Sequence, residues 1–275
     1  MIDLTLIMRR LESVGYSETE ASALYGNYTT LAVPIFNLAM SIITPISIVF
    51  IPIFAQTTAK KDRKLGARAL RDALGMCAML TAPLLIGVIV YSGEILDMLF
   101  NGLDISVGAP LLCLLIPSIA FLAPLTVINS ALETDGCVRA PIFSMLTGSA
   151  AKLLVSYTLL GNDGYGIAGA PIGTVISYAV ALSVSLIIAC GYRKMHVPLI
   201  APAILPYLLS FGCVMASKFI YVRMSPHIPK TPALLIAVAI CAILYLTALW
   251  LSGAVSTKKL RQMTNYTKFT QKLYE

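Results

Sequence analysis

One lysine lies where the chain offers it no water. Lys152 stands in Ser149-Ala150-Ala151-Lys152-Leu153-Leu154-Val155, near the middle of an apolar stretch that runs from Ala140 to Leu160. A charge at bilayer depth costs at least about 2.5–3.5 kcal/mol, so the ammonium must meet a polar cavity, a partner or a carbonyl where helices cross. It is either a cationic site for an anionic substrate group or a side chain that snorkels or pairs. Lys218 lies near the end of its own apolar stretch, where snorkelling to the interface is the expectation.

A second constellation is Gly164-Tyr165-Gly166-Ile167-Ala168-Gly169-Ala170-Pro171-Ile172-Gly173-Thr174. Gly169 and Gly173 have the small-xxx-small spacing that lets two membrane helices approach, and Gly166, Thr174 and Ser177 lie on the same segment. No Lys-Ser/Thr follows at phosphate-loop spacing, so packing is expected here in preference to ligand contact. Glu133-Thr134-Asp135-Gly136 puts two carboxylates in a tight turn, where capping of the next helix is the expected role.

Other chemistries lack their groups. His196 and His227 are the only histidines, and both fall between apolar stretches. No aspartate lies deep inside a complete stretch, Asp72 falling in the first turn of its own, and no Ser-His pair is set at membrane depth, so intramembrane proteolysis and histidine-dependent acyl transfer have no candidates. A retinal-type lysine would need a counter-ion within the membrane. The six cysteines show neither CxxC nor metal-ligand spacing, so no disulfide framework, metal site or other cofactor is expected. The chain is not expected to be an enzyme.

The elements that must position these residues are plain in the hydropathy. Hydrophobic residues make up 58% and charged residues 12%, against about 25% charged in soluble domains. Seven apolar stretches predict seven membrane helices, at Leu24–Ala55, Ala69–Tyr91, Val107–Leu132, Ala140–Leu160, Ile167–Cys190, Leu199–Ile220 and Pro232–Leu251. The first contains Pro34, Pro45 and Pro52, each an expected kink. An eighth stretch, Met1–Met8, is about half a span and ends at Arg9 and Arg10. Its charges follow the apolar run, unlike those of a signal peptide, and it is expected to be the outer end of a helix begun upstream. The expected division is a partial helix and outer loop over 1–23, a seven-helix body over 24–252 and a basic tail over 253–275.

Charge placement sets the orientation. Fourteen Lys and Arg, in Gln56–Arg71, at Arg139, Arg193 and Lys194 and in the tail, fall on one side, and four fall on the other. The richer side, with the C-terminus, is predicted to be cytoplasmic. The net charge of +7 is spread over short loops, which argues against nucleic acid. The tail is expected to be a solvated end, with a helix lying on anionic lipid as the alternative.

Several motifs taken together resemble a known family. Ile2-Asp3, Met8-Arg9-Arg10-Leu11, Gly15-Tyr16-Ser17, Ala21 and Leu24-Tyr25-Gly26 come first. Gly148-Ser149-Ala150-Ala151-Lys152-Leu153 and Gly166-Ile167-Ala168-Gly169-Ala170-Pro171-Ile172-Gly173-Thr174 follow in order. This is similar to the stage V sporulation protein B and polysaccharide biosynthesis family of the multidrug/oligosaccharidyl-lipid/polysaccharide exporter superfamily. The resemblance implies an all-α polytopic membrane protein like the C-terminal lobe of a MATE/MviN-like transporter, its first lobe absent. It also implies a flippase for lipid-linked sugar precursors of spore or cell-wall peptidoglycan, located in the cytoplasmic membrane. Its partners would be the lipid-linked sugar, membrane lipids, and a missing N-terminal lobe or a second copy. On this resemblance Lys152 takes the family's recurrent lysine position, and Arg9 and Arg10 match a basic pair, all three as substrate-binding candidates. Glu133-Thr134 departs from the Gln-Gly expected there. A cation-coupled multidrug exporter of the same superfamily would need acidic residues within the spans, and a non-transporting membrane scaffold is the alternative of a different class.

Overall fold

The computed structural model describes residues 2–100, 104–162, 164–192, 195 and 197–253. Asp163, Arg193, Lys194, His196 and the basic tail from residue 254 onward lie outside the described residues. Among the described residues the chain forms eleven α-helices and no strand. Seven helical segments are long and apolar enough to cross a membrane: Glu18–Ala59, Arg63–Val90, Gly108–Thr134, Arg139–Leu160, Gly166–Gly191, Ala201–Met224 and Lys230–Leu251. The protein is a multi-pass membrane protein.

Helix α1 (Ile2–Ser13) precedes the first crossing. That crossing starts well before Leu24, because Ser17 and Glu20 form a capping box ahead of α2 (Glu18–Asn27). Ser17 Oγ accepts from the Glu20 amide at 3.3 Å, and the Glu20 carboxylate accepts from the Ser17 amide at 3.0 Å. Helix α2 runs through a π-helical turn, Tyr28–Ala32, into α3 (Val33–Ala59). Pro34 accounts for that turn. It donates no amide hydrogen and crowds the carbonyl four residues back, so the coil loosens, and the Val33 amide donates to the Tyr28 carbonyl. Pro45 and Pro52 lie within α3, which stays α-helical through both. Helix α4 (Arg63–Val90) starts at Asp62, whose side chain accepts from the Lys64 and Leu65 amides. Short α5 (Ser92–Leu99) follows, and then α6 (Gly108–Leu115) and α7 (Ser118–Thr134) share the third crossing across Pro117.

The carboxylates of Glu133 and Asp135 do not cap the next helix as expected. Helix α8 (Arg139–Leu160) has Val138 at its N-cap and no side-chain cap bond. The turn instead closes α7. Gly136 takes φ +83°, and the Cys137 amide reaches back to the Leu132 carbonyl at 2.8 Å, a glycine-terminated helix end.

Helix α7 is the centre, packed on α3, α4 and α9 (Gly169–Ile187). Helix α8 runs along the outside of α9, and α1 leans on α8. Helices α10 (Ala201–Met224) and α11 (Lys230–Leu251) form a hairpin against α4. The apolar interior divides accordingly. One large cluster includes Leu11, Leu31, Ile43, Phe50, Ile119 and Ile128. A smaller one joins Tyr91 to Val214, Tyr221, Ala233, Leu234 and Ala237 of the hairpin.

Candidate functional site

Lys152 is half-buried and lines a cavity of about 270 Å³. Leu6 and Ile7 of α1 close one side, and Tyr25, Tyr28, Thr29 and Asn37 of the first crossing close another. The loosened turn before Pro34 supplies Tyr28 and Thr29, and the Thr29 hydroxyl donates to the Tyr25 carbonyl at 2.9 Å. Ala170, Thr174 and Tyr178 of α9 complete the wall, with the Tyr178 ring 6.3 Å from that of Phe36.

Ser156 stands one turn after Lys152 and lines the same cavity. It is 5% exposed, and among the described residues its hydroxyl has no hydrogen-bond partner. A buried hydroxyl without a partner is unusual in native proteins. Gly173 makes room for it, because a Cβ on Gly173 would collide with Ser156 Oγ and lie 3.5 Å from the Lys152 carbonyl. A Cβ on Gly169 would meet Leu159 Cβ and the Leu160 amide nitrogen, each at 2.9 Å. The GxxxG pair thus lies where α9 meets α8. Thr174 donates along its own helix to the Ala170 carbonyl at 3.2 Å. Gly166 adopts φ +48° beside the Tyr16 hydroxyl, in the 3₁₀ turn Gly166–Ala168 that leads into α9.

Neither Arg9 nor Arg10 lines this cavity. Arg9 is exposed. Arg10 clasps α8: its Nε donates to the Tyr157 carbonyl at 3.0 Å and its guanidinium lies 4.2 Å over the Tyr157 ring. Gly161 leaves space for that guanidinium. The structure therefore brings Lys152 together with Gly173 and Thr174, and separates it from the arginine pair.

Lys218 reaches a specific set of protein groups near the end of its crossing. Its ammonium pairs with the Glu94 carboxylate at 2.5 Å, donates to the Val90 carbonyl at 3.2 Å and lies over the rings of Tyr91 and Tyr221. Behind it the Tyr91 hydroxyl meets Ser217 Oγ at 2.8 Å, and Ser217 donates to the Ala237 carbonyl at 2.7 Å.

Chemically, the Lys152 cavity presents a cation and several hydroxyls between aromatic walls, which suits an oxyanion. Its volume is just below the range of about 300–1,000 Å³ that takes a drug-sized ligand, so it accommodates one charged group and not a whole lipid-linked sugar. Among the described residues no three His, Cys, Asp or Glu gather as a metal-ligating group. Tyr28, Thr29, Asn37, Ser156 and Tyr178 were not foreseen from sequence. The available signals were the spacing of Ser156 from Lys152 and the position of Pro34.

No protein-family model matches the chain, and no curated protein matches it. Its fold is similar to a solved structure of the lipid II flippase MurJ in an inward closed conformation, with a TM-score of 0.67 and 17% identity. The match covers 92% of this chain and 51% of that one, so the chain spans about half the length of the structure it matches. At that identity the likeness speaks for architecture: the chain has the all-α, multi-pass fold found in about half of the MurJ structure.

Proposed function

We propose that the chain is a transport lobe for lipid-linked oligosaccharide or polysaccharide precursors, of the exporter superfamily to which stage V sporulation protein B belongs. The observation that carries this reading is Lys152, an ammonium placed with hydroxyl groups in a small cavity inside a flippase-like fold. The cation attracts the diphosphate that joins lipid to sugar, through charge-assisted hydrogen bonds. The sugar is left outside the cavity. A complementary lobe, from an N-terminal half or a second copy, would close a path across the membrane, and rocking of one lobe on the other would expose the site to each side in turn. The helix ends around Gln56–Arg71 face the cytoplasm of the cell membrane in this reading, and peptidoglycan of the spore or wall is the destination.

The test is reconstitution of the complete transporter in vesicles with a fluorescent lipid-linked precursor. Lys152→Met is expected to slow flipping by about tenfold or more, the size of a lost charged hydrogen bond, with Lys152→Arg intermediate. Unchanged flipping by Lys152→Met would rule out the cationic site.

A further inference from the structure

A second cavity, of about 760 Å³, opens between α5 and the turn that joins α10 to α11. We infer that it binds a zwitterion of the phosphoethanolamine class, a primary ammonium and a phosphate a few ångströms apart, as in a lipid headgroup or its free form. The inference is independent of the Lys152 cavity.

Two ion pairs of different kinds carry the argument. Glu94 lines the cavity, and its carboxylate is already closely paired with the Lys218 ammonium, which a carbonyl and two rings hold further. That charge is neutralised and fixed. Asp97 and Lys230 form the rim, and there the nitrogen–oxygen distance is 3.7 Å, too long for a hydrogen bond. Their side chains are 47% and 77% exposed. The rim thus holds opposite charges apart, each with hydrogen-bonding capacity toward an incoming group.

The surroundings match the two ends of such a ligand. Lys230 opens α11, whose N-cap is Pro229 with no side-chain cap bond, so the Lys230 and Thr231 amides and the helix dipole add to the ammonium as an anion seat. Thr231 lies beside it on the cavity wall. Asp97, one turn after Glu94 on α5, is the cation seat. Met98, Ile105 and Leu234 supply an apolar wall for a carbon stem. The volume is in the small-molecule range. The cavity lies where one crossing ends at Met224 and the next starts at Lys230, the level at which headgroups and interfacial tyrosines reside. A quaternary ammonium cannot donate a hydrogen bond to Asp97, and a glycerol headgroup brings no cation at all.

The full chain, purified in detergent, would be titrated with short-chain phosphatidylethanolamine, phosphatidylcholine and phosphatidylglycerol under native mass spectrometry. Phosphatidylethanolamine is expected to bind about tenfold or more tightly than the other two, and Asp97→Asn and Lys230→Gln are each expected to abolish that preference. Competition by glycerophosphoethanolamine would show that the free headgroup is sufficient, and failure to compete would identify the membrane lipid as the ligand. Equal retention of the three lipids, or a preference untouched by both substitutions, would overturn the inference. If either variant fails to fold, the lipid series on the unsubstituted chain decides the matter.

Discussion

The Lys218 ammonium is enclosed by the Glu94 carboxylate, the Val90 carbonyl and the rings of Tyr91 and Tyr221. Replacing it removes the partner of a half-buried carboxylate, and an abandoned charge costs more than the pair contributed. Lys218→Met is expected to lower stability by about 1–3 kcal/mol, and Glu94→Gln added to it to recover part of the loss. Thermal melts of the single and double variants check this, and strictly additive losses would contradict it. Arg10 calls for a smaller number. Its stacking on Tyr157 is partly exposed, so Arg10→Ala should cost about 1 kcal/mol, read as earlier loosening of α1 in limited proteolysis. Sequence gave access to one of these lysines and not the other. Lys152 announces itself by depth alone, a local property. The partner of Lys218 is 124 residues away, and no local pattern reports a contact formed only when α5 meets α10.

Where α8 meets α9, the glycines differ in what they face. Gly169 is pressed against backbone of α8, whereas Gly173 faces the Ser156 hydroxyl, which can rotate or be removed. Gly169→Ala is therefore expected to be the more destabilising, by about 1–3 kcal/mol. Gly173→Ala should be rescued in part by Ser156→Ala, and a melt of the double variant no higher than that of Gly173→Ala would refute this packing. The seven crossings themselves were legible because about 20 apolar residues are a long and redundant signal. Their ends were not. Ser17 and Glu20 spell a capping box, yet the apolar run begins only at Leu24, so a reading by hydropathy starts the helix late. Pro34 signalled an irregularity, but sequence could not tell a bend from the π-helical turn that forms before it and supplies Tyr28 and Thr29 to the cavity. Glu133 and Asp135 looked like caps, and the glycine after them does the terminating.

The whole molecule is a body with a flanking hairpin. Helices α10 and α11 share a small cluster with Tyr91, and polar ties reinforce it: Tyr245 donates to the Met79 carbonyl at 2.8 Å, and Ser217 bridges Tyr91 and Ala237. A small buried apolar cluster marks the parts of a protein that open first. Ser217→Ala is expected to speed hydrogen–deuterium exchange in α10 and α11 while leaving α7 unchanged, and equal acceleration in α7 would argue for one cooperative unit. That division was invisible in sequence, since all seven crossings are apolar enough to span a membrane and only packing separates them. The first crossing has a mechanical consequence. Glu18–Ala59 is 42 residues long, about 63 Å of helix, against a hydrocarbon layer of about 30 Å. A rod twice as long as the layer is thick must project from it, and its π-helical turn, Tyr28–Ala32, lies ten residues from the capped tip. Because that turn forms part of the wall of the Lys152 cavity, a tilt of about 10° there would swing the Ser17 end by about 2.6 Å over an arm of about 15 Å and reshape the wall as it did so.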